Sequence, residues 1–200
     1  MALIKEPAER RRREAENAFR QFGETMRLVG RMGDRLALTP EIVRTLNRLA
    51  TEGVEERAGE FRSRPIRISH SSHRPPPAPE VPELVREMCA RANDPAGSPL
   101  HTAAYLMWRL NWIHPFDDGN GRTSRAVSYL ALCVGMGGRL PGSRTVPDLI
   151  ADDKPSYYAA PDAADEACER GRTDVSVMEA LLEGLLAKQF VSAIEAAKQG

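Results

Sequence analysis

One stretch organises this chain, and it reads His114-Pro115-Phe116-Asp117-Asp118-Gly119-Asn120-Gly121-Arg122-Thr123-Ser124-Arg125. An apolar helix is predicted to end just before it, because a proline disfavours helical geometry in the residue that precedes it. Asp117-Asp118-Gly119 is typical of a turn, and a second helix is predicted from about Asn120 to Gly135. We therefore expect a helix–loop–helix whose glycines lie at a helix N-terminus.

The glycines and arginines of this stretch suit the binding of a polyphosphate. Free N–H groups and the positive end of the helix dipole attract anions at a helix N-terminus. Gly119 and Gly121 allow the backbone to approach a phosphate closely, and Asn120 lies between them. Arg122 and Arg125 are three residues apart on one helix face, so both can add forked donors for further phosphates.

The acid and the base in the stretch suit a reaction beside those phosphates. Asp118 is a carboxylate among phosphate-binding groups, and its expected role is to hold Mg²⁺. His114 titrates near neutral pH and can take a proton from an incoming hydroxyl group. Phe116 cannot bind phosphate, so we expect it to fill the core and fix the loop. Asp-Gly-Asn-Gly alone is a common turn sequence, but the complete set in register favours an active site.

Length, charge and cysteine content narrow the class of protein. The 200 residues suit one domain with a helical arm, and we place the arm at residues 1–34 and the catalytic domain at 35–200. Lys+Arg and Asp+Glu both total 28, which gives no argument for specific nucleic-acid binding. No apolar run reaches membrane length, and three widely spaced cysteines suit a reducing compartment. We expect a soluble, cytoplasmic protein without a membrane partner.

Most of the remaining chain has helical patterning. Apolar residues recur at spacings of three and four from Ala15 to Val29, and Thr39-Pro40 and Ser98-Pro99 are typical helix starts. Pro161 is expected to interrupt any helix that passes through it, which leaves a helix at about 162–170 before the last one. The predicted fold class is all-α.

The one strand signal lies between Gly59 and Ser69. Ile66, Arg67 and Ile68 alternate apolar and polar side chains, so a short β-hairpin with an open edge is predicted there. An open edge can bind an extended peptide through main-chain hydrogen bonds. The connector that follows is rich in proline and is expected to be a surface linker. We expect its two histidines, His70 and His73, to be exposed to solvent rather than bound to a metal.

The central stretch resembles the signature of the Fic (filamentation induced by cAMP) family, His-Pro-Phe-x-(Asp/Glu)-Gly-Asn-Gly-Arg-x-x-Arg, at every defined position. The segment from Gly59 to Ser69 is similar to the flap of that family, and the segment from Asp148 to Tyr158 is similar to the region after its core. The resemblance covers about residues 35–190. It implies a Fic-like helical domain whose central helix–loop–helix carries the motif.

The resemblance also implies an activity. A protein adenylyltransferase of this family transfers AMP from ATP to a Tyr, Thr or Ser hydroxyl of a target protein and releases pyrophosphate. His114 is then the general base, and Asp118 holds Mg²⁺ against the α- and β-phosphates. Ile66, Arg67 and Ile68 then lie on the flap, which clamps the target segment as an added strand.

The same resemblance implies roles for the nucleotide-binding residues. Gly119, Asn120 and Gly121 line the anion hole, and Asn120 lies near the α-phosphate. Arg122 meets the β-phosphate and Arg125 meets the γ-phosphate. ATP is therefore the expected substrate, with Mg²⁺ as the cofactor.

The chain departs from many members of the family in one respect. They carry an inhibitory helix that reads (Ser/Thr)-x-x-x-Glu-(Gly/Asn), whose glutamate pairs with the last arginine of the motif. Thr51 and Glu55 have this spacing, but Glu56 follows them and they precede the flap. Self-inhibition is therefore not predicted, and the enzyme is either unregulated or held by a separate small antitoxin.

Two alternatives to AMP transfer to a protein stay open. Some members of the family use another nucleotide, remove AMP, or transfer phosphate or phosphocholine, although the intact stretch from Gly119 to Arg122 favours the ordinary orientation of the nucleotide. The second alternative is a non-catalytic regulatory or binding module that uses the basic cluster Arg10 to Arg13. That cluster is interpreted more simply as a solvated helix face. The sequence indicates neither the target protein nor the oligomeric state.

Overall fold

The structure is a computed structural model that describes residues 3–68 and 73–199. Within these residues the regular structure is helical, apart from one isolated bridge between Glu52 and Glu55. A short 3₁₀ turn spans Ala78–Glu80. The α-helices of the described residues are α1 (Pro7–Met32), α2 (Pro40–Thr51), α3 (Val81–Ala92), α4 (Pro99–Ile113), α5 (Asn120–Gly135), α6 (Val146–Asp152), α7 (Lys154–Glu169) and α8 (Ser176–Gln199). The predicted all-α class is confirmed.

Helices α4 and α5 form the centre of the molecule. Residues 114–119 join them, and we call this segment the central loop. Trp108 and Leu110 in α4 and Leu130 in α5 are each at most 1% exposed. Such helices are surrounded by others, and α4 packs against α3, α7 and α8 as well as α5. The predicted start of α4 is confirmed, because the Ser98 side chain accepts a hydrogen bond from the N–H of His101 at 3.0 Å.

Helix α2 also begins at its predicted cap. The Thr39 side chain accepts a hydrogen bond from the N–H of Ile42 at 3.3 Å, and Pro40 occupies the first helical position. The helix packs between α1, α3 and α5. Its buried face includes two polar residues, Thr51 and Asn47, and Asn47 is 1% exposed. The packing of α2 therefore brings an amide to the centre of the molecule.

Helix α1 begins at Pro7 rather than at Ala15, where its apolar pattern begins. The Glu6 side chain caps its first turn, and Arg10 pairs with Glu14 at 3.1 Å, one turn later. Caps and pairs of opposite charge four residues apart stabilise a helix without apolar residues. Hydrophobic periodicity therefore misses these turns. The C-terminal half of α1 packs in the same hydrophobic core as the other helices. The domain boundary at residue 34 stays a prediction.

Helix α7 continues through Pro161, so the predicted interruption is wrong. A proline inside a helix removes one hydrogen bond and is unfavourable by about 3 kcal/mol or more. Tyr157, Ala160 and Ala164 of this helix are buried in the core, where α7 packs against α4 and α8. Burial of this face offsets the effect of the proline.

The segment of residues 59–68, which we call the flap, does not form the predicted β-hairpin. Its residues pair with no strand in the described part of the chain, and Ser69 and His70 lie outside that part. Pro65 and the three prolines at 75–77 lack the N–H groups that a strand ladder requires. In addition, the N–H of Arg62 donates to the carbonyl of Pro115 at 2.8 Å, which joins the flap to the central loop instead.

No helix of the described residues combines the length and the apolar character that are needed to cross a membrane. Cys89 and Cys133 are buried free thiols, and Cys168 is a partly buried one. Burial raises the pKa of the Cys89 thiol to about 12, so this thiol is unreactive at neutral pH.

Candidate active site

His114 lies in the first position after α4, where the chain leaves the helix. Its N–H still donates to the carbonyl of Leu110 at 2.9 Å, but its backbone is left-handed, with φ 49° and ψ 59°. Among the described residues it is the one non-glycine residue with a positive φ. This conformation is uncommon for a residue other than glycine, and the surrounding structure has to stabilise it. The protein therefore fixes the backbone, and with it the orientation, of the predicted base.

The imidazole is further oriented by a carbonyl one turn earlier in α4. Nδ1 of His114 lies 3.2 Å from the carbonyl oxygen of Asn111. Because a carbonyl only accepts hydrogen bonds, we assign the proton to Nδ1, which leaves a free lone pair on Nε2. The Asn111 side chain lies 2.9 Å from the hydroxyls of both Ser124 and Tyr157. Helices α5 and α7 thus support the end of α4.

Burial lowers the pKa of His114 to about 4. The Asn111 carbonyl opposes this shift, as does the charge of Asp118, whereas the charges of Arg62 and His73 lower the pKa of His114 further. At neutral pH the imidazole is therefore uncharged. This is the form that can accept a proton.

His73 lies beside this site rather than in solvent, so its predicted exposure is wrong. Its side chain is 12% exposed, and its Nε2 lies 2.8 Å from the carbonyl oxygen of Trp112. The ring centroids of His73 and Trp112 are 5.5 Å apart. Packing against the indole keeps His73 within the wall of the site, although it comes from the proline-rich connector. His70, the other histidine of the connector, lies outside the described residues.

The Asn120 side chain stabilises the central loop through two hydrogen bonds to its main chain. Its Oδ1 accepts a hydrogen bond from the N–H of Phe116 at 3.0 Å, and its Nδ2 donates to the carbonyl of Phe116 at 2.8 Å. The Phe116 ring is buried in the core, 1% exposed, as expected. The Asn120 amide is therefore already engaged, and an anion at the start of α5 would meet main-chain N–H groups. Gly119, in the N-cap position, has no side chain that could occupy them.

Gly119 is the position in the loop that only glycine fits. Its φ is 79°, in the left-handed region. A Cβ atom built there would lie 2.5 Å from Cγ2 of Thr51 and 2.9 Å from Nδ2 of Asn47. The loop thus packs directly on α2. Gly121 differs, because an added Cβ would meet only Nη1 of Arg125, at 3.5 Å, which is an ordinary contact.

Asn47 joins α2 to both the loop and the flap, and sequence reasoning missed it. Its Nδ2 donates to the carbonyl of Asp118 at 2.9 Å and to Oγ1 of Thr123 at 3.2 Å. Its Oδ1 accepts a hydrogen bond from the N–H of Gly59 at 3.0 Å. A signal was available, because Asn47 lies four residues after the buried Val43 and therefore on the apolar face of α2.

The two arginines of the motif have different environments. Arg122 donates to the carbonyl of Ala50 at 2.9 Å and pairs with Oδ2 of Asp118 at 3.0 Å. The guanidinium of Arg125 makes no hydrogen bond or ion pair with the residues described here. Burial lowers the pKa of Arg125, although an arginine stays charged. The fork of Arg125 is thus available to an anion, whereas Arg122 already has protein partners.

Two cavities adjoin the motif. One of about 100 Å³ is lined by His114, Ile68, Trp112 and both tyrosines of α7. The other, of about 480 Å³, lies between α1, α5 and α6, with Phe19 and Phe22 on one side and the two arginines of the motif on the other. Of the predicted flap residues, Ile68 reaches the His114 cavity. Ile66 is half-buried and Arg67 is exposed, and neither lines that cavity.

The candidate inhibitory pair, Thr51 and Glu55, does not reach Arg125. The Thr51 hydroxyl is buried and donates to the carbonyl of Asn47 at 2.8 Å. The Glu55 carboxylate accepts a hydrogen bond from the N–H of Glu56 at 2.8 Å. Neither group therefore occupies the anion site within the described part of the chain.

Part of the chain is similar in sequence to known proteins. The protein adenylyltransferase Fic of Drosophila persimilis is 39% identical over 72 residues, which are 34% of this chain and 14% of that protein. The protein of the same name from Nematostella vectensis is 40% identical over 76 residues, which are 35% of this chain and 17% of that protein. The chain thus spans less than a fifth of these relatives.

Solved structures share the fold over nearly the whole chain. Fic-1 of C. elegans (residues 134–508) has a TM-score of 0.74 at 20% identity, covering 98% of this chain and 55% of that one. A Fic domain containing signaling protein from Bacteroides thetaiotaomicron has a TM-score of 0.73 at 21% identity, covering 92% and 73%. The family model of Fic/DOC matches residues 37–132, which include α2, the flap, α4 and the loop of His114. Residues 37–132 of the chain are therefore a Fic/DOC family domain.

Proposed function

We propose that the chain transfers AMP from ATP to a Tyr, Thr or Ser hydroxyl of a target protein. The observation that carries the proposal is the position of His114. Its Nδ1 lies 3.2 Å from the Asn111 carbonyl, and one loop separates it from the N-terminus of α5, which no side chain of the N-cap residue caps. The relatives named protein adenylyltransferase support it over about a third of the chain. The BepC protein of Bartonella tribocorum has a similar fold and was solved with bound AMPPNP, which supports an ATP-like ligand.

The proposed reaction moves one proton and exchanges one bond at phosphorus. Nε2 of His114 takes the proton of the target hydroxyl, and the oxygen of that hydroxyl attacks the α-phosphorus of ATP. The bond from that phosphorus to the bridging oxygen of the β-phosphate breaks, and pyrophosphate leaves with the electron pair. The product is AMP joined to the target through a phosphodiester. General base catalysis of this kind contributes about 10²–10⁴-fold to a rate.

The triphosphate is proposed to lie along the start of α5. The main-chain N–H groups of Asn120 and Gly121 and the helix dipole would hold the α-phosphate. The N–H of Gly119 donates to Oδ1 of Asp118 at 2.5 Å, so it would join them once that carboxylate turns to Mg²⁺. Arg122 would meet the β-phosphate and Arg125 the γ-phosphate. The free guanidinium of Arg125 supports this assignment, because a buried charge without a protein partner is expected where a ligand supplies one.

Asp118 is the group we propose to hold Mg²⁺. Its carboxylate is 39% exposed and lies 3.0 Å from Nη2 of Arg122, so it borders the proposed phosphate site. Mg²⁺ at such sites typically takes one or two carboxylates and completes its shell with phosphate oxygens and water. The described residues include no group of three or more His, Cys, Asp or Glu side chains that could hold a metal. When bound, the ion would neutralise charge that develops on the phosphates.

The flap is proposed to bind the target segment through its main chain. Residues 66–68 pair with no other strand in the described chain, so their N–H and C=O groups can accept an added one. Ile68 lines the cavity of His114, which brings a docked segment to the base. Ile66 and Arg67 would border the same segment. Recognition through the main chain implies that the flap sets the position of the target more than its sequence.

The cavity between α1, α5 and α6 is where we propose that a regulatory partner docks, such as a small antitoxin. Phe19 is 80% exposed there and Phe22 is 36% exposed, and both face the same cavity as Arg125. A helix with an apolar face and one carboxylate would cover the rings and pair with the arginine. If such a partner blocks ATP binding to the wild type but not to Phe19→Ala, which keeps every proposed ATP contact, the assignment is supported.

The test of AMP transfer uses the purified chain with Mg²⁺, a cell lysate and ATP labelled at either the α- or the γ-phosphate. We expect label from the α-position alone on a hydroxyl side chain, identified by mass spectrometry of the modified protein. His114→Ala is expected to abolish the label while ATP still binds. Undiminished labelling by His114→Ala would overturn the assignment of the base.

The same experiment distinguishes the alternatives. Transfer of the γ-label indicates phosphate transfer, and release of AMP from a modified protein indicates the reverse activity. A preference for another nucleotide is recognised by competition with unlabelled nucleotides. A lack of nucleotide binding at millimolar ATP indicates a non-catalytic module, for which the basic cluster Arg10 to Arg13 is the first surface to change.

A further inference from the structure

Arg62, near the start of the flap, is a buried arginine that lies outside the motif. It is 2% exposed. Its Nε donates to the carbonyl of His114 at 2.8 Å, and its Nη2 donates to the carbonyls of Ile113 at 3.3 Å and Pro76 at 2.6 Å. Its Nη1 donates to the carbonyl of Arg64 at 3.2 Å. One guanidinium therefore joins the flap, the proline-rich connector and the loop that carries the predicted base.

The main chain of Arg62 extends this contact by one residue. Its N–H donates to the carbonyl of Pro115 at 2.8 Å. The carbonyls of three successive residues, Ile113, His114 and Pro115, thus accept hydrogen bonds from a single residue of the flap. Carbonyls at the C-terminus of a helix have no partner within the helix. Arg62 supplies those partners at the place where His114 leaves α4 in a left-handed conformation.

The choice of arginine at this position follows from its geometry. Only the guanidinium presents donors in a rigid fork that can reach carbonyls on several sides at once, whereas a lysine has a single nitrogen and an amide has fewer donors. Burial lowers the pKa of Arg62, and the charge of Asp117 opposes that shift. Burying a charge is unfavourable unless its donors are satisfied, and here each nitrogen has a carbonyl partner.

We propose that Arg62 is a positioning residue for the AMP transfer proposed above: it holds the backbone of His114 in its left-handed turn and fixes the flap against it. The inference rests on the proposed function. Arg62 touches no reacting atom in this arrangement and acts through His114. A displacement of about 1 Å in a catalytic group lowers a rate by about 10²-fold.

The arrangement also couples the base to the target. Ile68, six residues beyond Arg62, lines the same cavity as His114. The flap segment that would dock the target and the residue that would deprotonate it are therefore anchored by one side chain. A change at Arg62 is expected to affect the reaction of the bound target rather than the binding of ATP, whose proposed contacts lie at α5.

The charge of Arg62 gives a second readout, because it faces His114. The other groups that face this imidazole are His73, whose charge also lowers its pKa, and Asp118 and the Asn111 carbonyl, which raise it. Removal of the guanidinium is expected to raise the pKa of His114. A lysine retains the charge without the fork, so Arg62→Lys separates charge from geometry.

The experiment compares Arg62→Gln and Arg62→Lys with Arg86→Gln, which removes an exposed arginine of α3. The kcat of target labelling and the KM for ATP are measured against pH, and the His114 imidazole is titrated by NMR. We expect Arg62→Gln to lower kcat by about 10²-fold, with the KM for ATP nearly unchanged, and to move the His114 titration to higher pH. Arg62→Lys should lower kcat without moving the titration, and Arg86→Gln should change neither.

Several outcomes would overturn the inference. One is wild-type kcat in Arg62→Gln together with an unmoved His114 titration, and another is a loss of rate that a higher KM for ATP explains in full. Thermal melts show whether each variant folds, and if Arg62→Gln does not, wild-type kcat in folded Arg62→Lys overturns the inference equally. If the wild type labels no protein, AMP transfer fails, and the NMR titration still tests the role of Arg62.

Discussion

The Nδ1 atom of His114 lies 3.2 Å from the carbonyl oxygen of Asn111, one turn earlier in the same helix. This contact places the proton on Nδ1 and directs the lone pair of Nε2 away from α4. A carbonyl beside Nδ1 favours the charged ring, but burial has the larger and opposite effect, and the pKa of His114 falls to about 4. Helix α4 thus ends in a base that stays neutral over the physiological range.

The first prediction concerns the pH dependence of the rate. Because the neutral imidazole is the active form, kcat/KM for ATP should stay on a plateau through neutral pH and fall to half near the His114 pKa of about 4 in the free protein. The measurement is a pH profile of kcat/KM for ATP. An acid limb near 6.5, the ordinary value for a histidine, would contradict the burial of this side chain.

The second prediction concerns stability. The unfolded chain binds a proton at His114 below pH 6.5, whereas the folded chain does so only below about 4. The contribution of His114 to the free energy of unfolding is therefore fully present above pH 6.5 and is lost as the pH falls from 6.5 to about 4. This contribution is on the order of 3 kcal/mol. Urea titrations at pH 7 and pH 5 should show a smaller loss in His114→Gln than in the wild type. Equal losses in both proteins would count against a depressed pKa.

The starts of α2 and α4 could be predicted because their signals are local. Thr39 and Ser98 each cap a helix whose first residue is a proline, and both caps depend only on residues within one turn. The passage of α7 through Pro161 could not be predicted in this way. Its physical reason is the burial of Tyr157 and Ala160 against helices from elsewhere in the chain.

The third prediction separates the two arginines of the motif. Arg122→Ala removes a hydrogen bond to the Ala50 carbonyl and the pair with Asp118, so it should lower the free energy of unfolding by about 1.5–3 kcal/mol. Arg125→Ala removes a guanidinium without a partner among the described residues and should leave stability unchanged or higher. Arg125→Ala should instead weaken the binding of ATP. Thermal melts and ATP titrations of the two variants test this, and a stability loss in Arg125→Ala would contradict it.

The fourth prediction concerns the loop glycine. Gly119→Ala combines a positive φ of 79° with a Cβ atom 2.5 Å from Thr51, so α2 and the loop must move apart. We expect a loss of more than about 2 kcal/mol of stability together with loss of labelling activity. The control is Gly23→Ala in α1, where an added Cβ meets nothing within 4 Å. That substitution should stabilise the protein by about 0.5–1 kcal/mol. Equal melting temperatures for both variants would show that the loop adapts.

The residues that hold the site in place could not be predicted as the motif could. His114, Asp118 and Arg125 lie within one stretch of twelve residues, so their pattern is visible in the sequence. The partners of Asn47 and Arg62 in the central loop lie 71 and 52 residues further along the chain. No spacing in the sequence indicates these contacts, because only the packing of α2 and the flap on the loop creates them. The polar character of Asn47 on an apolar helix face was the available sign.

The last prediction tests whether Asn47 supports the site or only the fold. Asn47→Ala removes the hydrogen bonds to Asp118 and Gly59 and leaves their buried main-chain groups without a partner, which should lower stability by about 1–3 kcal/mol. Asn93 is a matched control, because its side chain makes two similar bonds, both 2.8 Å, to the main chain of Leu38 away from the site. We expect Asn93→Ala to lose comparable stability and keep its kcat, and Asn47→Ala to lose kcat as well, since the loop between His114 and α5 is released. If both variants keep the wild-type kcat under conditions where they are folded, the role of Asn47 is confined to stability. The loop then holds its geometry through Asn120, Gly119 and Arg62 without it.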